Sequence, residues 1–152
     1  SQMIRKLPFD VLRFGEASTV EESMYNRPFQ WGSKRTGPDL SRVGKKYPNL
    51  WHYRHFLEPR AVVPNSIMPR YPWLATKNTD FYSLRRKFSV LQDLGVPYSD
   101  ETVANADKIA EEEAIELAQE LAKEGAPEGL ANKQIIALIA YIQALGQKGP
   151  NN

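Results

Sequence analysis

Cysteine is absent from all 152 residues. Disulfides, thiolate metal sites and a nucleophilic thiol are therefore excluded. Long apolar runs are missing too. The longest, residues 135–142, falls far short of the roughly 20 residues that a membrane-spanning helix needs. No basic-then-apolar leader stands at Ser1, so no signal peptide is visible there. No phosphate-cradling glycine loop and no Ser/His/Asp set of suggestive spacing occurs, so no enzyme reading has support. Alternation with period two is never sustained, which predicts few strands. Eleven prolines stand against nine glycines. That balance suits long ordered loops better than a repeat or a low-complexity tract.

Charge of one sign is scarce at each end of the chain. Residues 1–99 hold 16 Lys and Arg against 8 Asp and Glu, a net +8. Residues 100–152 hold 4 against 10, a net −6. The overall +2 hides this polarity. Such an asymmetry can steer a charged partner, or it can be a solvated acidic helix following a basic domain. The length suits a single domain, residues 1–152.

Helical signals dominate. Leu7, Val11, Leu12 and Phe14 suit a short helix after Pro8. Residues 15–48 read as loop. Asn49 is placed to cap a helix that runs to about Glu58, where Pro59 stops it. Residues 60–78 read as proline-interrupted loop, and residues 81–94 as a helix ending at Gly95. Ser99 or Asp100 can cap a long helix to Glu124 that Gly125 closes. Its apolar stripe is Val103, Ala106, Ala110, Ala114, Leu117 and Leu121, and the rest, with Glu111, Glu112 and Glu113, is an acidic face for water. Asn132 can cap a last helix whose Ile135, Ile136, Leu138, Ile139, Ile142 and Leu145 wrap much of its circumference. A helix that apolar must be sheltered on more than one side, by the stripe of the long helix or by a second copy.

The most specific stretch is Ser66-Ile67-Met68-Pro69-Arg70-Tyr71-Pro72-Trp73-Leu74. It places one methionine in a loop stiffened by Pro64, Pro69 and Pro72. Gly37-Pro38-Asp39-Leu40 precedes it and the apolar last helix follows. This order resembles a class I cytochrome c domain, which presents a thioether sulfur to haem iron, but without Cys-x-x-Cys-His. The match extends further. Ser1-Gln2-Met3-Ile4-Arg5, Glu22-Ser23-Met24-Tyr25 and Pro28-Phe29-Gln30-Trp31-Gly32-Ser33-Lys34-Arg35-Thr36 resemble the mono-haem cytochrome c subunit of cbb-type haem–copper oxidases. So do Trp51-His52, Pro59-Arg60-Ala61-Val62-Val63-Pro64 and Ala137-Leu138-Ile139-Ala140-Tyr141-Ile142-Gln143-Ala144-Leu145-Gly146. The resemblance is specific in residues 1–74 and 132–146 and weak across 77–131, which reads as a helical insertion.

That resemblance implies an all-α fold of the class I cytochrome c type with long proline-rich loops and an inserted acidic helix. In the family, Ser-Gln-Met-Ile-Arg directly follows the haem-binding Cys-x-x-Cys-His. The chain is thus expected to start one residue after the proximal histidine, without the membrane anchor and first helix. Met68 matches the distal axial ligand of the haem iron. Pro38 matches the residue whose carbonyl accepts a hydrogen bond from the proximal imidazole, which fixes the ring. Gly37, Leu40, Tyr71 and Trp73 belong to the same motifs and are expected at the cofactor, with Trp73, Leu74 and Leu40 excluding water. Trp31, Lys34 and Arg35 are candidate propionate partners, and Tyr141 matches an aromatic that packs on the first helix. The implied role is non-catalytic electron transfer from a donor cytochrome c to the oxygen-reducing subunit. It implies catalytic and di-haem subunits as partners and the periplasmic side of the bacterial inner membrane. Haem c belongs to the intact protein, whereas residues 1–152 alone, lacking thiols, are expected to bind none covalently.

Blander readings stand beside these. A methionine in an apolar loop also serves as core filler. His52, His55 and Glu58, spaced by three, fit a metal site or simply a surface-facing helix. A haem-free interaction domain on the same fold is one alternative function. A nucleic-acid module built on the basic, aromatic stretch 27–73 is another, although no binding signature supports it and no nucleic acid is expected. With its first helix and haem absent, the stretch is expected to self-associate or to fold its long helix over the last one.

Overall fold

The computed structural model describes residues 7–14, 19 and 43–147. These residues form two units, Ser1–Tyr47 with Tyr141–Asn152, and Pro48–Ala140. Helices α1 (Pro8–Phe14), α2 (Asn49–Leu57), α3 (Pro59–Val62), α4 (Leu84–Asp93), α5 (Asp100–Lys123) and α6 (Gln134–Ala144) make the scaffold, with a 3-10 turn at Pro72–Ala75. Among the described residues there is no strand, only an isolated bridge between Asn78 and Lys133. The fold is all-α, as the sequence implies.

Within Pro48–Ala140 the core is one cluster. Ile135, Ile136 and Ile139 of α6 meet Ala114 and Leu121 of α5, Tyr53 of α2, and Ala126 and Leu130 of the connecting loop. The expected stripe of α5 is the buried one, while Glu111, Glu112 and Glu113 are exposed. Leu121, Ile135 and Ile139 are wholly buried. The last helix is thus sheltered by α5, one of the two arrangements expected for it.

Segment 77–131 leaves and returns at a single place. The Thr79 N–H donates to the Asn132 carbonyl at 2.8 Å, and the Gln134 N–H to the Lys77 carbonyl at 3.0 Å. Lys133 Nζ adds a bond to Asn78 Oδ1 at 2.7 Å. Between these points α4 and α5 form a hairpin, tied by Arg85 Nε to Asp107 Oδ1 at 2.7 Å. The guanidinium holds the Asp107 carboxyl below its ordinary range. Ser99 caps α5, its hydroxyl accepting from the Thr102 N–H at 3.1 Å. Gly125, at φ +101°, closes it in a conformation that costs a glycine least.

Several expected boundaries move. Asn49 and Asn132 are not caps. Asn49 lies inside α2, whose cap position is Pro48 and has no side-chain bond, and α6 starts two residues after Asn132. Pro59 does not only end a helix: it opens α3, where its missing N–H costs nothing. Residues 60–78 include the end of α3 and a 3-10 turn, and α4 begins only at Leu84.

The first turn of α2 is capped from elsewhere. The Leu50 N–H donates to Glu124 Oε2 at 3.1 Å, and Asn49 Nδ2 donates to Glu120 Oε2 at 3.3 Å. Two carboxylates, Glu120 of α5 and Glu124 at its C-terminal cap, therefore sit at the positive end of the α2 dipole. Glu124→Ala should cost about 1 kcal/mol, the usual worth of a capping acceptor. Chemical denaturation would check it, and an unchanged midpoint would show that solvent replaces the carboxylate fully.

The other unit holds the turn 43–46, which docks on the end of α6. The Gly44 N–H donates to the Leu145 carbonyl at 3.1 Å. Gln143 clasps the turn, Oε1 accepting from the Lys45 N–H at 2.7 Å and Nε2 donating to the Tyr47 carbonyl at 2.9 Å. Val43 is buried there, whereas Tyr141 is 60% exposed.

Candidate functional site

Met68 sits in the middle of an extended segment, residues 66–71, that has no regular secondary structure. Pro64 and Pro69 fix φ on either side of it, and Pro69 pushes Met68 itself toward extended backbone. Ser66 Oγ accepts a bond from the Met68 N–H at 3.2 Å. The segment is then tied to the end of α2. The Tyr71 N–H donates to the Phe56 carbonyl at 2.8 Å, and Arg70 Nε to the Leu57 carbonyl at 3.2 Å. Arg70 also meets Glu58 Oε2 at 2.9 Å. These bonds use carbonyls that the C-terminus of α2 leaves without helical partners.

Met68 is half-buried, as is Tyr71. Tyr71 packs edge-on against Trp73, ring centroids 5.3 Å apart. Leu74 packs on the core cluster. Trp73, expected to exclude water, is 46% exposed, and Ile67, beside Met68, is 85% exposed. Val63 is exposed as well. The segment therefore offers a partly sheltered thioether flanked by uncovered apolar side chains. Gly37, Pro38, Leu40, Trp31, Lys34 and Arg35 lie outside the described residues.

The histidines of α2 do not form the metal site weighed above. Among the described residues no group of three or more His, Cys, Asp or Glu could hold an ion. Glu58 is engaged with Arg70 instead. Nor is α2 simply surface-facing, since His52 is only 3% exposed. His55 stacks on Trp51, centroids 4.5 Å apart and planes 18° from parallel. His52 meets the edge of the same indole at 5.3 Å. Burial pushes both imidazoles below their ordinary pKa, and for His52 the neighbouring His55 charge adds to this.

A pH dependence follows from that direction. Unfolded imidazoles take up protons near 6.5, while the folded ones resist until lower pH. The unfolded state therefore binds more protons in this window, and stability falls as pH drops below about 6.5. Stability above that value should be flat with respect to these groups. Melting temperatures between about pH 7.5 and 5 would check it. The double variant His52→Gln/His55→Gln should flatten the slope, and a slope of unchanged steepness would assign it to other groups.

Sequence reasoning missed the features that hold this segment. No local pattern announces that Glu120 and Glu124 cap a helix some 70 residues earlier, or that Arg70 reaches back to Leu57. The only signal was the proline spacing.

The described residues are helices without strands, with a methionine on a proline-framed segment, an arrangement consistent with a cytochrome c-like domain. Over residues 1–148 the chain matches the family described as cytochrome c oxidase, mono-heme subunit/FixO. It belongs to that family. Compared with curated proteins, the chain has no significant match. The residues around Met68 fit the family's haem. Met68 is half-buried on a proline-fixed backbone, and Ile67, next to it in the chain, leaves apolar surface that a large apolar ring would cover.

Proposed function

We propose that this subunit of cytochrome c oxidase relays electrons from a donor cytochrome c toward the oxygen-reducing subunit, with Met68 as the distal ligand of its haem. The family match across residues 1–148 carries this reading. Haem supplies a one-electron couple. Met68 Sδ is a soft, neutral donor that favours the reduced metal and raises its potential. The prolines and the bonds to Ser66, Phe56 and Leu57 hold the backbone of this segment, so the sulfur would stay in place in both oxidation states. Ile67, Trp73 and Val63, exposed as they stand, would be available to cover the ring, and Tyr71 packs edge-on against Trp73. Pro38 would orient the proximal imidazole, and Gly37 and Leu40 would line the same wall. Trp31 and Arg35 would meet the propionates.

No side chain of the site needs to exchange a proton. The subunit is non-catalytic by itself. Its partners are the catalytic and di-haem subunits, on the periplasmic side of the bacterial inner membrane. No helix among the described residues is long and apolar enough to cross a membrane. Covalent attachment needs thiols, which residues 1–152 do not contain and which a joined Cys-x-x-Cys-His segment would supply.

The test uses residues 1–152 joined to such a segment and loaded with haem. Met68→Ala should abolish the methionine-to-iron absorption feature and lower the midpoint potential in a redox titration. An unchanged potential with the feature intact would show that another residue is the ligand.

A further inference from the structure

One face of the α4–α5 hairpin has no protein partner within its unit. Toward α5, α4 turns Leu84, Phe88 and Gln92, all half-buried. Phe88 packs on Tyr98, centroids 4.6 Å apart. Gln92 Nε2 donates to the Tyr98 carbonyl and to Asp100 Oδ1, both at 2.9 Å. With 3.6 residues per turn, Arg86, Val90, Leu94, Lys87 and Leu91 follow one another over an arc of about 140° on the other side. All five are exposed, Leu94 by 76%, and Tyr82, just before the helix, by 92%. Arg85 is taken by Asp107. Among the described residues, Arg86 and Lys87 have no carboxylate partner. The only carboxylate of α4 is Asp93, at the edge of this arc.

We propose that this face of α4 rests on the surface of a bilayer containing anionic phospholipid. Single exposed leucines need no explanation, but Val90 and Leu94 on one row with Tyr82 at its end, and Leu91 on the next row, are a patch. The composition is that of an interfacial helix: apolar side chains on one side, one cation at their border and one among them, low overall hydrophobicity. Val90, Leu91 and Leu94 enter the acyl boundary. Tyr82 sits at headgroup level with its hydroxyl in water. The stems of Arg86 and Lys87 lie along the apolar row while their charges meet phosphate. A second copy fits less well. Two such faces pressed together would bury four cations beside apolar side chains, with only the two Asp93 carboxylates, at the edge of each face, to pair them.

The absence of cysteine makes the test clean. Val90→Cys, Leu94→Cys and Glu112→Cys each introduce one thiol for an environment-sensitive fluorophore. Glu112 is an exposed position on α5 and serves as the control. The probes are vesicles of phosphatidylglycerol with phosphatidylcholine, and of phosphatidylcholine alone. The expected result is a blue shift at positions 90 and 94 on the anionic vesicles only, with none at 112. Arg86→Gln and Lys87→Gln should each weaken that binding roughly fivefold, with the helical circular dichroism unchanged. No shift at 90 and 94, or an equal shift at 112, would overturn the proposal. So would a blue shift without vesicles that rises with protein concentration and doubles the sedimenting mass, which would give the face to a second copy.

Discussion

Leu121→Ala should lower the stability of the Pro48–Ala140 unit by about 2–5 kcal/mol. Leu121 has no exposed surface and lies in one cluster with Ile135, Ile136 and Ile139. Removing three carbons there loses their transfer free energy and leaves a cavity. The surrounding isoleucines are β-branched and held by their helix, so they close little of it. Set against a typical net stability of about 5–15 kcal/mol, this loss is a large fraction. Urea denaturation followed by far-ultraviolet circular dichroism would measure it. Ile115→Ala on the same helix is the control, because Ile115 is exposed and should move the midpoint by less than about 0.5 kcal/mol. Equal effects at the two positions would mean that α5 does not shelter the last helix in solution.

Gly44→Ala is expected to be the most damaging change in the other unit, costing about 1–3 kcal/mol. A Cβ at this position would meet the Leu145 carbonyl oxygen, and would lie 2.7 Å from the Gln143 carbonyl oxygen. Both are backbone atoms at the end of a helix, so neither can swing away as a flexible side chain would. Relief requires the turn 43–46 to lift off. That breaks the Gly44–Leu145 bond and the two bonds from the Gln143 side chain. Amide exchange at Gly44 and Lys45 should accelerate with the loss of stability. Lys45→Gly is the contrasting variant, since Lys45 has φ +59° and glycine adopts that conformation without the steric cost. A Gly44→Ala protein with unaltered exchange would show that the turn does not dock on α6.

The sequence made the helices and their apolar faces legible, because those depend on local spacing. The stripe of α5 and the buried isoleucines of α6 lie where period 3.6 puts them. Ser99 and Gly125 bound α5 because caps are local chemistry. The expectation failed at Asn49 and Asn132, where an amide suited to capping was available but tertiary partners won. Asn49 turns its amide to Glu120, while Asn132 is fixed by its backbone carbonyl, which accepts from the Thr79 N–H, and the helix begins two residues past it. His52 also went astray. Nothing within α2 reveals that this polar side chain is buried, because the burial comes from elements distant in sequence. At the site, the prolines announced a fixed methionine, while the bonds that hold its segment come from the end of α2 and were invisible. The exposure of Trp73 was equally invisible, since it depends on what the ring does not meet.

Helix α2 is gripped at both ends by different parts of the unit. Glu120 and Glu124 hold its first turn, and its last two carbonyls hold the segment carrying Met68. Nine residues at 1.5 Å each make a rigid rod about 13 Å long between those grips. The acidic helix and the methionine are therefore mechanically in series. A push at one end of the rod arrives at the other undamped, as it would not through a loop. In the role proposed for Met68 low reorganisation would be an advantage, and the rod that holds its segment is itself held by two carboxylates of another element. Added salt weakens charge-assisted contacts at exposed positions. The tightness of the methionine segment in this protein should consequently track ionic strength, although that segment itself contains only one ion pair.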